Sequence, residues 1–246
     1  MINLKKNPPC LMLDTETNPR YLMLDTETIY LKKRVYELAF VVFDSVTCEH
    51  LHKARFYIRQ TVESAVYYFI RNQKNPIFWP NRLNALEVLK HGDCVTWEIA
   101  KSQLLGVISR YSVSAIIAHN INFDISAIYS TNNLYTDVTT NEPFLSNIDK
   151  LELSGYFIHG LPLMVAYNVP YKVKSGCMTF KADFLVPCLL GNSQNHDALS
   201  DCMNQIALFK LTKGKYQNQG SIYGNMLAHH ALKHDNKKRL GGSSLE

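Results

Sequence analysis

The stretch Leu22-Met23-Leu24-Asp25-Thr26-Glu27-Thr28 is an apolar run that ends in two carboxylates separated by one threonine. With residues 22–24 as a buried strand, Asp25 and Glu27 project from the same side at its end, because strand side chains alternate. Carboxylates held that close oppose each other's ionisation, and a divalent cation is the natural counter-charge. The same letters recur earlier, at Leu11–Thr17, so Asp14 and Glu16 form a second candidate for the same role.

Two further acids stand at expected junctions of secondary structure. Asp124 comes after the apolar run Ser114–Ala118 and the polar turn His119-Asn120-Ile121-Asn122-Phe123, and it opens a helix expected to start over Ile125–Tyr129. Asp201 follows His196-Asp197-Ala198-Leu199-Ser200, in the first turn of a helix expected to carry Cys202, Ile206, Phe209 and Lys210. Taken singly, an acid at a helix start reads as a cap, and His196 as a surface histidine. Strand, turn and helix in that order is also the arrangement by which α/β sheets place chemistry at the carboxyl ends of strands.

Other elements must hold these residues in place. Val35–Phe43 is rich in β-formers and, after a turn over Ile29–Arg34, is expected to pair with residues 22–24 as a hairpin. Ala54–Arg59 supplies a third strand, and Ile99, Leu104, Leu105, Ile108 and Tyr111 recur at helical spacing over Trp97–Tyr111. Between Thr61 and Asn84, Pro76 and Pro80 break any long element. The aromatics there (Tyr67, Tyr68, Phe69, Phe78, Trp79) read as core anchors or as rings on which bases stack. Residues 132–181 read as an irregular insertion or as additional strands near the site, and Ala182–Leu190 is an apolar run closed by Gly191 and Asn192. The expected architecture is a single α/β domain, a central mixed β-sheet flanked by α-helices with its first three strands antiparallel.

Leu24-Asp25-Thr26-Glu27-Thr28, then His119-Asn120-x-x-Phe123-Asp124, then His196-Asp197-Ala198-x-x-Asp201 resemble the three exonuclease motifs of the DEDD superfamily, the DnaQ-like, RNase T-like 3′–5′ exonucleases. The resemblance spans roughly residues 22–212. In the DEDDh branch a histidine precedes the last aspartate with four residues between, as His196 does here; the tyrosine position of the DEDDy branch is Asp197.

The resemblance implies an RNase H-like fold. It places an exonuclease domain over residues 22–215, between an extension (1–21) and a C-terminal tail (216–246). It implies hydrolysis of phosphodiester bonds at 3′ ends, with release of nucleoside monophosphates and two Mg2+ or Mn2+ ions held by Asp25, Glu27, Asp124 and Asp201. By resemblance Asp25 bridges both ions, Glu27 and Asp201 serve the ion of the attacking water, and Asp124 serves the ion facing the leaving oxygen. His196 is then the general base that takes the proton of the attacking water. Thr28, Asn120 and Phe123 match positions near the terminal nucleotide; Phe123 reads equally well as a core residue.

Composition sets outer bounds. The chain has 246 residues, 46% of them hydrophobic and 19% charged, as expected of a globular protein. It carries no apolar run of membrane length and no secretory core, so a cytoplasmic location without membrane contact is expected. Cys10, Cys48, Cys94, Cys177, Cys188 and Cys202 show no Cys-x-x-Cys spacing and read as unpaired thiols. A formal net charge of +5 admits a nucleic-acid partner without demanding one. Lys237, Lys238 and Arg239 read as a phosphate contact or a solvated helix end, residues 241–246 resemble an added linker, and His229 and His230 lack ligand spacing.

The expected partners are single-stranded 3′ ends of DNA or RNA, a separate polymerase, and a second copy in a homodimer. A competing reading is a non-catalytic nucleic-acid-binding or polymerase-associated module of the same fold. Such a module has no use for four mutually repelling acids. Of the two acidic copies, the second is followed at once by a turn and an apolar strand. Using the first would leave residues 18–34 as a long loop containing another strand-like segment. The earlier copy then becomes an added edge strand or a tail.

Overall fold

The computed structural model describes residues 18–29, 33–78, 83–90, 94–136, 144–153, 182–192 and 196–216. Cys10, Cys177, Trp79, the first acidic copy at Leu11–Thr17 and the basic cluster 237–239 lie outside the described residues.

A mixed six-stranded sheet forms the centre, in the order β4-β3-β2-β1-β5-β6. The strands are β1 (Arg20–Ile29), β2 (Arg34–Asp44), β3 (His50–Ile58), β4 (Cys94–Val95), β5 (Val113–Ala118) and β6 (Asp149–Glu152). The first three are antiparallel neighbours, as expected, while β5 runs parallel to both β1 and β6, and β4 parallel to β3. The β-rich run therefore forms β2, which is buried almost end to end because helices cover both faces.

Alternation along β1 and β2 divides the core. Met23, Ala39, Val41 and Phe43 pack with Ile117 and Leu151 against α5 (Ala182–Leu190) and α6 (Ala198–Tyr216). Leu22, Leu24, Leu38, Phe40 and Val42 pack on the other face against α3 (Trp97–Arg110) and α4 (Ile121–Tyr135). Tyr21 of β1 stands edge-on to both Phe43 and Phe209, with ring centroids 6.0 and 6.2 Å away. A smaller cluster joins Tyr36 to α1 (Arg59–Arg71) and α2 (Ala85–Lys90).

Several boundaries differ from expectation for local reasons. β1 continues to Ile29, shortening the turn, and β3 begins at His50 and hands over to α1 at Arg59. Helix α1 replaces the broken segment expected after Thr61; its N-cap Ile58 has no side-chain hydrogen bond, so no capping signal announced it. Phe78 is buried and stacks on Tyr36 with centroids 4.0 Å apart, and Phe69 packs beside it. Those two are core anchors, whereas Tyr67 is 66% exposed. Helix α4 starts earlier than expected, at Ile121, because Asn120 caps it.

Of the stretch 132–181, the described residues contribute the end of α4 and strand β6, and 137–143 and 154–181 lie outside the described residues. Helix α5 stops where Gly191 turns left-handed (φ 70) and its N–H reaches the Pro187 carbonyl at 3.1 Å. Among the described residues no disulfide joins Cys48, Cys94, Cys188 or Cys202. Among the described residues no helix is long and apolar enough to cross a membrane.

Candidate active site

The acids meet at one end of β1, and the sheet's own geometry makes room for them. Strand β5 is paired with β1 only as far as Met23↔Ile117. Beyond that point the neighbour of β1 on this side is the turn His119-Asn120 and the start of α4. The Thr26 N–H, left without a strand partner there, donates to Asp124 Oδ1 at 3.1 Å, and the Thr26 hydroxyl donates to the same oxygen at 2.7 Å. Asp124 thus closes the sheet edge with its side chain. It shares the buried face of α4 with Ile121, Ile125 and Ile128, which leaves it 5% exposed.

Asp25 and Glu27 point from β1 toward α6. Asp201 lies in the first turn of that helix, 3% exposed, on the stripe formed by Ala198, Cys202, Gln205 and Ile206. The cap of α6 is Asp197, whose Oδ1 accepts from the Ser200 N–H at 3.0 Å. The capping role expected of an isolated aspartate thus falls to Asn120 and Asp197, and leaves Asp124 and Asp201 to the site. His196 precedes the helix in a left-handed conformation (φ 53), a region that histidine enters more readily than most residues. Its Nε2 lies 3.7 Å from Asp183. Ligand atoms of Glu27, His196 and Asp201 all lie within 4.8 Å of one another.

Burial and mutual repulsion both act on the acids of the cluster. Burial pushes the Asp25 carboxyl well up, although its side chain keeps some access to solvent, and Asp124, Asp201 and Glu27 push it further. Against these stands a hydrogen bond from Gln205, which lowers it. Glu27 is raised to about 8, first by burial and then by Asp201 and Glu37. Burial lifts Asp124 to about 7 against the two Thr26 hydrogen bonds. Hard carboxylate oxygens gathered from three elements fit a divalent metal such as Mg2+ or Mn2+.

The three residues expected near a substrate are placed differently from one another. Thr28 is half-buried at a register shift between β1 and β2, the kind of bulge that often borders active sites. Asn120 uses its side chain to cap α4, accepting from the Phe123 N–H at 3.4 Å. Phe123 is 36% exposed, with the Lys33 ammonium 5.9 Å from its ring centroid, so the core reading fails for it.

Sequence reasoning missed three neighbours. Thr26 gave no local sign, since its partner is distant in the chain. Gln205 was visible as a polar residue on the apolar stripe of α6. Glu37 was visible as an acid within the apolar run of β2; it pairs across from Glu27 and is fully buried. Neither of its carboxylate oxygens makes a hydrogen bond of good geometry to a described residue. Burial and then Asp197 raise its carboxyl to about 7, with the Arg55 charge and the Ala198 N–H opposing. Arg55 also pairs with Asp197 at 3.9 Å.

The chain matches no protein-family model and no curated protein. Among solved structures it is similar to several of E. coli Exonuclease I. The E. coli Exonuclease I complex with a dA16 oligonucleotide superposes with a TM-score of 0.54 at 15% identity, over 80% of this chain and 41% of that one. The fold is RNase H-like. E. coli Exonuclease I with a 5cy-dA13 oligonucleotide gives a TM-score of 0.58 at 15% identity, covering 88% and 45%. Exonuclease I without ligand gives 0.56 at 16%, covering 88% and 47%. This chain therefore spans less than half the length of the Exonuclease I chains it matches, and at these identities the likeness concerns the fold.

Proposed function

We propose that the chain is a metal-dependent 3′–5′ exonuclease of the DEDDh type that removes nucleoside monophosphates from single-stranded 3′ ends. The observation that carries this reading is the convergence of Asp25, Glu27, Asp124 and Asp201, from three separate elements, on a point that His196 also borders. The fold adds support, since the structures it resembles include Exonuclease I bound to dA16 and dT13 oligonucleotides and a zinc-bound form with single-stranded DNA. Those complexes favour DNA over RNA as the first substrate to try.

In this reading Asp25, Glu27, Asp124 and Asp201 hold two Mg2+ or Mn2+ ions. When bound, such ions supply charge stabilisation at the phosphoryl oxygens and lower the pKa of a coordinated water. The chain's own residues do the rest. Thr26 orients Asp124 through two hydrogen bonds to one oxygen. His196, beside Glu27 and Asp201, takes the proton of the attacking water. Phe123, exposed next to Asp124 with Lys33 over its ring, offers a face for the terminal base and a cation for the strand.

Purified protein with Mn2+ is expected to shorten a 5′-labelled single strand one nucleotide at a time, to stop on addition of chelator, and to lose this activity in Asp25→Ala and in Asp201→Ala. Asp14→Ala should remain active, because β1 contains the second acidic copy. Retained digestion in both Asp25→Ala and Asp201→Ala would refute the proposal.

A further inference from the structure

Gln205 uses both ends of its carboxamide. Its Nε2 donates to Asp25 Oδ1 at 2.9 Å, and its Oε1 accepts from the His119 N–H at 3.1 Å. A backbone N–H can only donate, so the carbonyl end must face His119 and the NH2 end must face the carboxylate. The side chain is 2% exposed and lies one helical turn beyond Asp201 on α6. A single buried amide thereby ties β1 and α6, which bear three of the acids, to the turn that leads into α4, which bears the fourth.

We infer that Gln205 is a positioning residue, which fixes the carboxylate plane of Asp25 and its height relative to the β5–α4 turn, and so prepares the acids to take up divalent cations. Rotation about the last torsion of an aspartate is broad and roughly two-fold, so a carboxylate without such a partner samples many planes. Outer partners of this kind orient ligands, and their loss typically lowers metal affinity or activity 10–100-fold. The inference rests on the metal-site reading above and adds a residue to it.

Calorimetric titration with Mn2+ of the parent chain, Gln205→Met and Gln205→Thr tests it, alongside oligonucleotide digestion. Methionine keeps the length of the side chain and removes both polar contacts; threonine is shorter and adds no bulk. Both variants should bind Mn2+ about tenfold more weakly or worse, and kcat should fall about tenfold or more with KM for the oligonucleotide little changed. Mn2+ affinity and kcat within about twofold of the parent, in a variant with a native circular dichroism spectrum, would overturn the role of Gln205 alone. Absence of Mn2+ binding in the parent would overturn the metal site and this role together. If neither variant folds, Mg2+ titration of the parent by NMR decides. The Gln205 side-chain amide resonance should shift and saturate with the cation, and an unmoved resonance would refute the inference.

Discussion

Neutralising Glu27 should make the metal-free protein more stable while it abolishes function. In the folded chain the Glu27 carboxyl is held at about 8 in place of its ordinary 4.5, by burial, Asp201 and Glu37. A group whose proton is held more tightly in the folded state favours folding at low pH. As pH climbs from about 4.5 toward 8 the unfolded chain releases that proton first, so stability falls through this window and levels off above it. At roughly 1.4 kcal/mol per tenfold change in affinity, the full penalty approaches 5 kcal/mol. Partial solvent access and repulsion shared among the neighbouring acids reduce this to about 2 kcal/mol. Glu27→Gln removes the charge and keeps the shape. Urea unfolding in chelator should therefore show the variant about 2 kcal/mol more stable at about pH 8.5 and nearly equal to the parent at about pH 5. Saturating Mn2+ should stabilise the parent more than the variant. A variant less stable than the parent at about pH 8.5, or a difference independent of pH, would refute the reasoning.

Two other substitutions probe parts of the same site. His196→Asn preserves a side chain that tolerates the left-handed backbone (φ 53), so its effect should be chemical: kcat about 10²–10⁴-fold lower in single-turnover digestion, with an unchanged unfolding midpoint. Thr26→Val keeps the shape and the backbone N–H bond to Asp124 but loses the hydroxyl bond at 2.7 Å. It should cost about 1–2 kcal/mol in thermal unfolding and about tenfold in Mn2+ affinity by calorimetry.

Local patterns carried much of the fold. Val35–Phe43 announced a central strand through composition alone, and the spacing of Leu104, Ile108 and their neighbours announced α3. Helix α1 escaped because Ile58 supplies no cap and its aromatics are split between Phe69, packed in the core, and Tyr67, exposed to solvent. Asp25, Glu27, Asp124, Asp201 and His196, which the structure brings to one end of β1, were singled out from the order and spacing of their three segments. Their supports were not, because Thr26 to Asp124 and Gln205 to Asp25 are contacts between distant segments. Glu37 and Gln205 broke the local rule by placing polar groups at apolar positions. That kind of violation is where a sequence most often betrays a site.

The edge-on contacts of Tyr21 with Phe43 and Phe209 bear on the duplicated heptapeptide. Two identical segments compete for one slot beside β2, and the longer connection required by the earlier one costs only on the order of 1 kcal/mol in closure entropy. The heptapeptide itself is silent in this contest, so its flanks must cast the vote. Where β1 has Arg20, Tyr21 and Ile29, the earlier copy has Pro9, Cys10 and Asn18. A proline at the Arg20 position lacks a ladder donor, and a cysteine at the Tyr21 position forfeits two aromatic contacts of about 0.5–1.5 kcal/mol each. One tyrosine outside the motif thus acts as a selector, keeping a repeated sequence from becoming an ambiguous fold.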